Sequence, residues 1–386
     1  LEGIRVLDMS RVLAGPWAGQ LLGDYGADVV KVERPGQGDD TRHWGPPWLD
    51  GDEGEAAYFL AANRNKRSIA IDIASADGQQ LARRLASSAD VLIENFRVGT
   101  MARFGLDYEK LRKDNPRLIY CAITAYGPGS TRAQEPGYDA MIQASAGLMS
   151  ITGPAGPDGG PQKVGVAIAD IMAGMYATTA ILAALEERRR SGRGQRIDVP
   201  LYDSQVAWLA NQAMNFLVSG DIPERRGTAH PNLVPYQAFP ASDGHFVLAV
   251  GNDSQFATCA GLLSRPDLAG DSRFSTNAGR VNNRDALIPI LAAEFSKRTT
   301  SDWLHLFSEA GIPAGPINSI ETVLTDDYAE EQGLVRHLRT QENKSVPTVA
   351  NPVRFSRTPV CYASAPPALG EHENDVIKDW LGSVDE

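Results

Sequence analysis

The strongest constraint on this chain is the rhythm of its first third. Short, almost wholly apolar runs alternate with helical stretches. Ile4 to Asp8, Asp28 to Val32, Ser68 to Ile73, Asp90 to Glu94 and Leu118 to Thr124 read as strands, with helices at Gly78 to Ala86 and Tyr108 to Lys113 between them. Strands this apolar do not suit a sheet with one wet face. They predict a parallel sheet covered by helices on both sides, an α/β fold.

Beyond these units come glycine- and proline-rich loops at 127–137 and 153–163, then helices at Asp139 to Ala146 and Ile171 to Arg189. The apolar stretch Ile171 to Leu185 is too short to span a bilayer and runs into Glu186, Glu187 and Arg188, so a buried helix is expected. Arg193 to Gln205 reads as a strand entering a helix that continues through Asn215. Texture changes at Gly220, and Tyr236 to Pro240 with His245 to Val250 reads as a hairpin turned by Ser242-Asp243-Gly244. The expected organisation is a large parallel-sheet domain from 1–205 and 325–386, a linker over 206–228, and a smaller α+β domain with its return linker over 229–324. Ser345 to Arg357 is expected to be strand-like.

The net charge is −11, from 37 basic and 48 acidic residues, which argues against a nucleic-acid partner. An anionic ligand then needs a local cluster of cations. Cys121, Cys259 and Cys361 form no CxxC pair and the histidines show no metal-ligand spacing, so neither a disulfide framework nor a metal is expected. No signal peptide is visible. The sequence opens on Leu1, and the expected compartment is the cytoplasm, or the mitochondrial matrix if a transit peptide was trimmed.

Three features can carry chemistry. Arg11-Val12-Leu13-Ala14-Gly15-Pro16 follows the first strand and opens a helix, at the ligand-facing edge of an open α/β sheet, but without a GxGxxG fingerprint. Alone it also reads as a plain turn. Basic groups at Lys31 to Arg34, Arg64 to Arg67 and Arg97 stand at successive strand ends and suit a phosphorylated ligand. Asp170 stands between Val164-Gly165-Val166-Ala167-Ile168-Ala169 and an apolar helix. It reads equally as an N-cap and as a partly desolvated carboxylate nucleophile, with Gly165 and Gly174 giving a substrate close approach.

The stretches LEGIRVLDMSRVLAGPWAGQLLGDYGADVVKVERPGQGDDTR, NRNKRSIAID, DVLIENFRVG, NPRLIYCAITAYG, GYDAMIQASAGLMSITG, VGVAIADIMAGMYATTAILAAL and SGRGQRIDVPLYDSQ together resemble the class III CoA-transferases, the formyl-CoA transferase and carnitine dehydratase-like family, over essentially the whole chain. The resemblance implies a Rossmann-like large domain built from both ends of the chain, a small middle domain, and two copies interlocked as a homodimer. It implies acyl-CoA and carboxylic acid substrates, with coenzyme A a substrate rather than a cofactor, and no membrane partner. Asp170 aligns with the catalytic aspartate, which forms an acyl anhydride and then an aspartyl-CoA thioester. Val12, Ala14, Arg34, Ile71, Asn95, Phe96 and Arg103 match CoA-binding positions.

Two departures stand out. The lysine that formyl-CoA transferases carry before the GYD-like motif is Pro136, and their glycine-rich lid is missing after Pro231, so formyl or oxalyl transfer is not expected. A 2-methylacyl-CoA racemase of the same family would need a histidine where Tyr138 stands, and a phenol, ordinarily near 10, is a poor base at neutral pH. A non-catalytic CoA-binding protein is the remaining alternative. GDDTRHWGPP and RRGTAHPNLVPYQAF look like the succinyl-CoA:glutarate CoA-transferase branch. A dicarboxylate acceptor needs a cation for its second carboxylate, and Arg42, Arg226 and His230 are the candidates, each of which also reads as a loop residue.

Overall fold

The computed structural model describes residues 1–51, 54–156 and 159–382. The chain divides into two compact units: Leu1–Leu148, Val164–Ala210 and Asp327–Glu386 form the first, Met149–Lys163 and Asn211–Asp326 the second.

The first unit is built on β1 (Arg5–Asp8), α1 (Ala14–Asp24), β2 (Asp28–Glu33), α2 (Ala57–Leu60), β3 (Lys66–Ala70), α3 (Ala76–Ser88), β4 (Val91–Glu94), α4 (Thr100–Phe104), α5 (Tyr108–Asp114), β5 (Ile119–Thr124), α6 (Asp139–Ser145), α7 (Leu148–Ile151), α8 (Ile168–Ser191), β6 (Arg196–Pro200) and α9 (Leu201–Ala207). Most of α7 falls to the second unit. Six strands pair in the order β3-β2-β1-β4-β5-β6, all parallel. The order reverses between β1 and β4, and in such sheets the crevice at that reversal is where ligands bind.

Alternation along each strand sends neighbouring side chains to opposite faces. Val6, Val29, Val91 and Ile93 pack with Ala18 of α1 and Ala173 and Ala177 of α8. Leu7, Val30, Ile69 and Leu92 pack on the other face with Leu85 of α3 and with Val376 and Trp380 of the C-terminal helix Glu373–Leu381. Both faces are therefore dry, as the composition of the strands requires.

Helix α8 is longer than its sequence reading. It starts at Ile168, runs 24 residues, contains an 18-residue window of mean hydropathy 1.6, and by length and composition alone is long enough to cross a membrane. Its apolar character has another cause. Ala169, Ala173, Ala177, Ile181 and Ala184 form a buried stripe that lets it press against α1 and β5 in the core.

The third strand also differs from expectation. It pairs from Lys66 to Ala70, because Lys66 is drawn into the interior by carboxylates.

The second unit carries α10 (Ala210–Ser219), apart from its first residue, and the sheet β7 (Tyr236–Pro240), β8 (His245–Ala249) and β9 (Ala314–Pro316), antiparallel throughout. The 242–244 turn closes the hairpin, with the Ala241 amide donating to the Gly244 carbonyl at 2.8 Å. Phe239, Phe246, Phe256, Phe295, Trp303 and Phe307 fill its core.

The 149–163 segment, expected in the large domain, groups with this unit. The Gly227 amide donates to the Gly153 carbonyl at 3.0 Å, and Arg225 donates to the Gly159 carbonyl at 2.6 Å. Back in the first unit, β10 (Val335–Arg339) and β11 (Ser345–Val349) form a two-stranded hairpin, so the expected strand of 345–357 stops at Val349.

Candidate active site

The loop after β1 is held by buried charges. Val12 has φ 70°, a left-handed conformation that a β-branched residue adopts only when its surroundings enforce it. The enforcer is Asp39, whose two carboxylate oxygens each accept from the Val12 amide at 3.2 Å. Lys31 Nζ reaches Asp39 at 2.8 Å and the Ser10 carbonyl at 3.0 Å. Lys66 Nζ donates to Asp8 at 2.9 Å and to the Pro16 carbonyl at 2.8 Å. Burial works against the charge on Asp39, but Lys31 and the Thr41 hydrogen bonds outweigh it and hold the carboxyl at about 2. Burial lowers Lys66 to about 8, with Asp8 opposing.

These contacts correct the expectation of three converging basic clusters. Lys31 and Lys66 are fully buried and paired inside the fold. Arg64 pairs with Asp24 at 2.6 Å, and Arg67 with Asp28 at 2.6 Å. Arg34 and Arg97 stay exposed, and among the described residues neither has a carboxylate partner.

The loop after β4 closes the other side of the crevice. Asn95 grips the backbone of Arg11, accepting from its amide at 2.8 Å and donating to its carbonyl at 2.6 Å. The Arg11 guanidinium lies 5.1 Å from the centre of the Phe96 ring. The Phe96 amide donates to Glu94 at 2.8 Å, and burial pushes that carboxyl up to about 7. Between the two loops opens a cavity of about 190 Å³, lined among others by Val12, Ala14, Asn95, Phe96, Tyr138 and Asp170. Asp170 is thus brought to the switch point of the sheet, together with four of the expected CoA-binding residues.

Asp170 does not cap its helix. The cap position is Ala167, and Asp170 is the third helical residue. The capping oxygen comes from Asp139, which accepts from the Ala169 amide at 2.8 Å. The Asp170 carboxylate makes no hydrogen bond or ion pair with any described residue. A helix N-terminus favours the anion, but burial first, and the like charge of Asp139 second, push Asp170 up to about 7. An uncommitted carboxylate that keeps affinity for a proton also has affinity for an electrophilic carbon.

The two glycines divide. A Cβ at Gly165 would meet nothing within 4 Å, which leaves that approach open. A Cβ at Gly174 would lie 2.6 Å from the Ala14 carbonyl oxygen and 3.2 Å from Trp17, so Gly174 serves the contact of α8 with α1 rather than a substrate.

The other expected residues lie apart from this cavity. Arg34 is exposed in a turn and uses its carbonyl to accept the Gly38 amide at 2.8 Å. Ile71 is 4% exposed in the core, its amide bonded to the Glu33 carbonyl. Arg103 is exposed on α4, its guanidinium 5.8 Å from the Phe104 ring centre.

Arg42 is corrected as an acceptor-binding cation. It is buried, doubly bonded to Glu33 at 2.8 and 2.7 Å, bonded to Glu55 at 2.7 Å, and stacked 3.7 Å over the Phe59 ring. Arg226 and His230 belong to the second unit. The His230 ring accepts the amides of Asn232 and Leu233 at 3.0 and 3.1 Å, which makes it the hydrogen-bonded centre of its own loop. Arg226 is exposed, lines a cavity with Asn215 and Asn232, and has no side-chain partner among the described residues.

Sequence reasoning missed Asp139, Gln143, Tyr58 and Trp17. Tyr58, at the start of α2, is raised first by burial and then by the charge of Asp170. Trp17 packs on Gly174, and among the described residues its buried indole N–H has no hydrogen-bond partner. Asp139 and Gln143 had a legible signal, the i,i+4 spacing of a carboxylate and an amide on one helix face.

Comparison with known proteins supplies the rest. Residues 1–373 match the family described as CoA-transferase family III. The succinate–glutarate CoA-transferase of Agrobacterium fabrum is 48% identical over 98% of this chain and 95% of its own length. The succinyl-CoA:glutarate CoA-transferase of Homo sapiens is 44% identical over 99% of this chain and 86% of its own. Among solved structures, a CAIB/BAIF family protein from Brucella suis superposes with a TM-score of 0.85 at 47% identity, covering 98% of both chains. Rv3272 of M. tuberculosis gives 0.85 at 34% identity, over 96% of this chain and 97% of its own. This chain belongs to CoA-transferase family III.

Proposed function

We propose that the protein transfers coenzyme A from succinyl-CoA to a dicarboxylic acid such as glutarate, with Asp170 as the covalent intermediary. The observation that carries this reading is the Asp170 carboxylate itself, set in the switch-point cavity and engaged by no described residue. The names of the relatives at 44–48% identity supply the substrates.

Each step exchanges one acyl partner for another. An Asp170 oxygen attacks the thioester carbonyl, forming an anhydride and expelling CoA thiolate. The thiolate attacks the Asp170 carbonyl, releasing succinate and leaving an aspartyl-CoA thioester. The acceptor carboxylate attacks that thioester and expels the thiolate again. The thiolate then attacks the acceptor carbonyl of the new anhydride, which yields the new acyl-CoA and restores the Asp170 carboxylate. No proton is consumed over the cycle. Water would hydrolyse every intermediate, so a small, walled cavity is the chief requirement.

Within this reading Val12, Ala14, Asn95 and Phe96 line the path of the thiol arm. Arg34 and Arg103 offer exposed guanidinium groups to phosphates, and Ile71 can contribute only through its backbone. Arg42, committed to glutamates, is not offered to the acceptor's far carboxylate. The enzyme acts as a homodimer without a metal or cofactor, in the cytoplasm or, after a transit peptide is removed, the mitochondrial matrix. The apolar surface of α10, with Leu217 71% and Val218 79% exposed, supports a covering copy.

The test is to incubate succinyl-CoA with a panel of carboxylic acids and identify new thioesters by mass. A glutaryl-CoA product lost in Asp170→Ala, with CoA binding retained, supports the reading. Normal exchange in that variant refutes it. Deuterium entering C2 of a 2-methylacyl-CoA without any acceptor acid would instead indicate the epimerase.

A further inference from the structure

Three hydrogen bonds tie α6 to the segment that leads into Asp170, and a fourth joins the two α6 side chains that make them. Asp139 accepts from the Ala169 amide at 2.8 Å with one oxygen and from Gln143 Nε2 at 2.8 Å with the other. Gln143 Oε1 accepts from the Val164 amide at 2.8 Å, and its Nε2 lies 3.4 Å from the Val166 carbonyl. Gln143 is fully buried and Asp139 is 9% exposed. An aspartate in the first turn of a helix ordinarily turns its oxygens back onto the orphaned amides there. In α8 two of those amides are already taken: Ile168 donates to the Val166 carbonyl at 2.9 Å and Ala169 to Asp139 at 2.8 Å.

We propose that Asp139 and Gln143 are positioning residues for the transfer reaction: they clamp the 164–169 segment and cap the helix in place of Asp170, which leaves the Asp170 carboxylate free to form its acyl bond. The inference rests on the reading of Asp170 as acyl acceptor. Asp139 has a second effect through its fixed charge. A carboxylate beside a second carboxylate holds its proton to higher pH. The titratable groups that act on or are acted on by Asp170 are Asp139 of α6 and Tyr58 of α2, and the cavity that Asp170 lines also holds Arg11, Asp40, Arg97, Glu135 and Tyr138. Arg11 is turned to Asp40 at 3.6 Å. The charge that acts on Asp170 is that of Asp139.

The test traps the acyl-enzyme. The full-length protein is mixed with succinyl-CoA and hydroxylamine from pH 5 to 9, and the hydroxamate on the Asp170 peptide is quantified by mass. Asp139→Asn keeps an oxygen for the Ala169 amide and removes the charge. Its pH midpoint should fall by about one unit relative to the parent, with KM for succinyl-CoA little changed. Asp139→Ala removes the cap as well, and trapping should slow about tenfold at every pH. Asp139→Asn also turns an amide nitrogen toward Gln143 Nε2, which donates to Asp139 in the parent; adding Gln143→Glu supplies an oxygen there while Val164 keeps its acceptor, so the double variant should trap faster than Asp139→Asn alone. An unshifted midpoint in Asp139→Asn, or parent-like trapping in Asp139→Ala, overturns the inference. A parent enzyme that forms no hydroxamate overturns the transferase reading beneath it.

Discussion

Asp170 should destabilise the fold it serves. Burial and the Asp139 charge push its carboxyl up to about 7 from the ordinary 3.8. Between those limits the native state holds a proton that the unfolded chain has released, so stability falls as pH rises through the window. Above about pH 7 both states are ionised and the full penalty stands; below about pH 4 both are protonated and it vanishes. Three units at about 1.4 kcal/mol each set a ceiling of about 4 kcal/mol. Asp170 is only half-buried, so water at the cavity mouth reduces this to roughly 2 kcal/mol. Asp170→Asn removes the charge at nearly constant shape. In parallel urea and thermal unfolding, the variant should exceed the parent by about 2 kcal/mol at pH 8, or roughly 3–6 °C, and the gap should close toward pH 4. Every other carboxylate is common to both proteins and cancels. Equal stability at pH 8, or a gap of the same size at pH 4 and 8, would refute the reasoning. Loss of exchange activity together with a gain in stability is the signature expected of a strained catalytic group.

Removing the Arg42 guanidinium in Arg42→Met leaves Glu33 buried without its partner, and urea unfolding should show a loss of about 3–5 kcal/mol. The acid preference of the folded fraction should not change. Gly174→Ala drives a methyl into the Ala14 carbonyl and Trp17. It should cost about 1–3 kcal/mol in unfolding experiments and reduce kcat more than KM, because the displaced contact lies one helical turn from Asp170. Cys121 and Cys259 are buried, and burial pushes the Cys259 thiol up to about 12. Native-state alkylation should therefore label Cys361 alone, and peptide mapping would show it.

Much of the fold was legible because strand composition records burial directly. The apolar runs at 28–32, 90–94 and 118–124 had to be covered on both faces, and they are. The hairpin at 236–250 was readable from its turn residues. Helix ends were less so. The start of α8 lay three residues earlier than its apolar pattern suggested, because the cap that fixes it is Asp139, distant in sequence. A residue's neighbours in sequence do not report a partner supplied from another helix. The same limit misplaced the cations. Lys31, Arg42, Lys66 and Arg67 look alike on paper as ligand-binding charges, and each is consumed by a carboxylate brought beside it by the sheet or the loops around it.

The sequence by itself determined the layered architecture and singled out Asp170 as the candidate for the chemistry, since hydrophobic periodicity and family motifs are local properties of the chain. Tertiary structure decided whether Asp170 spends its oxygens on its own helix or keeps them for a substrate. That choice turns on one hydrogen bond, from the Ala169 amide to Asp139, and a bond between distant segments exists only once the chain has folded.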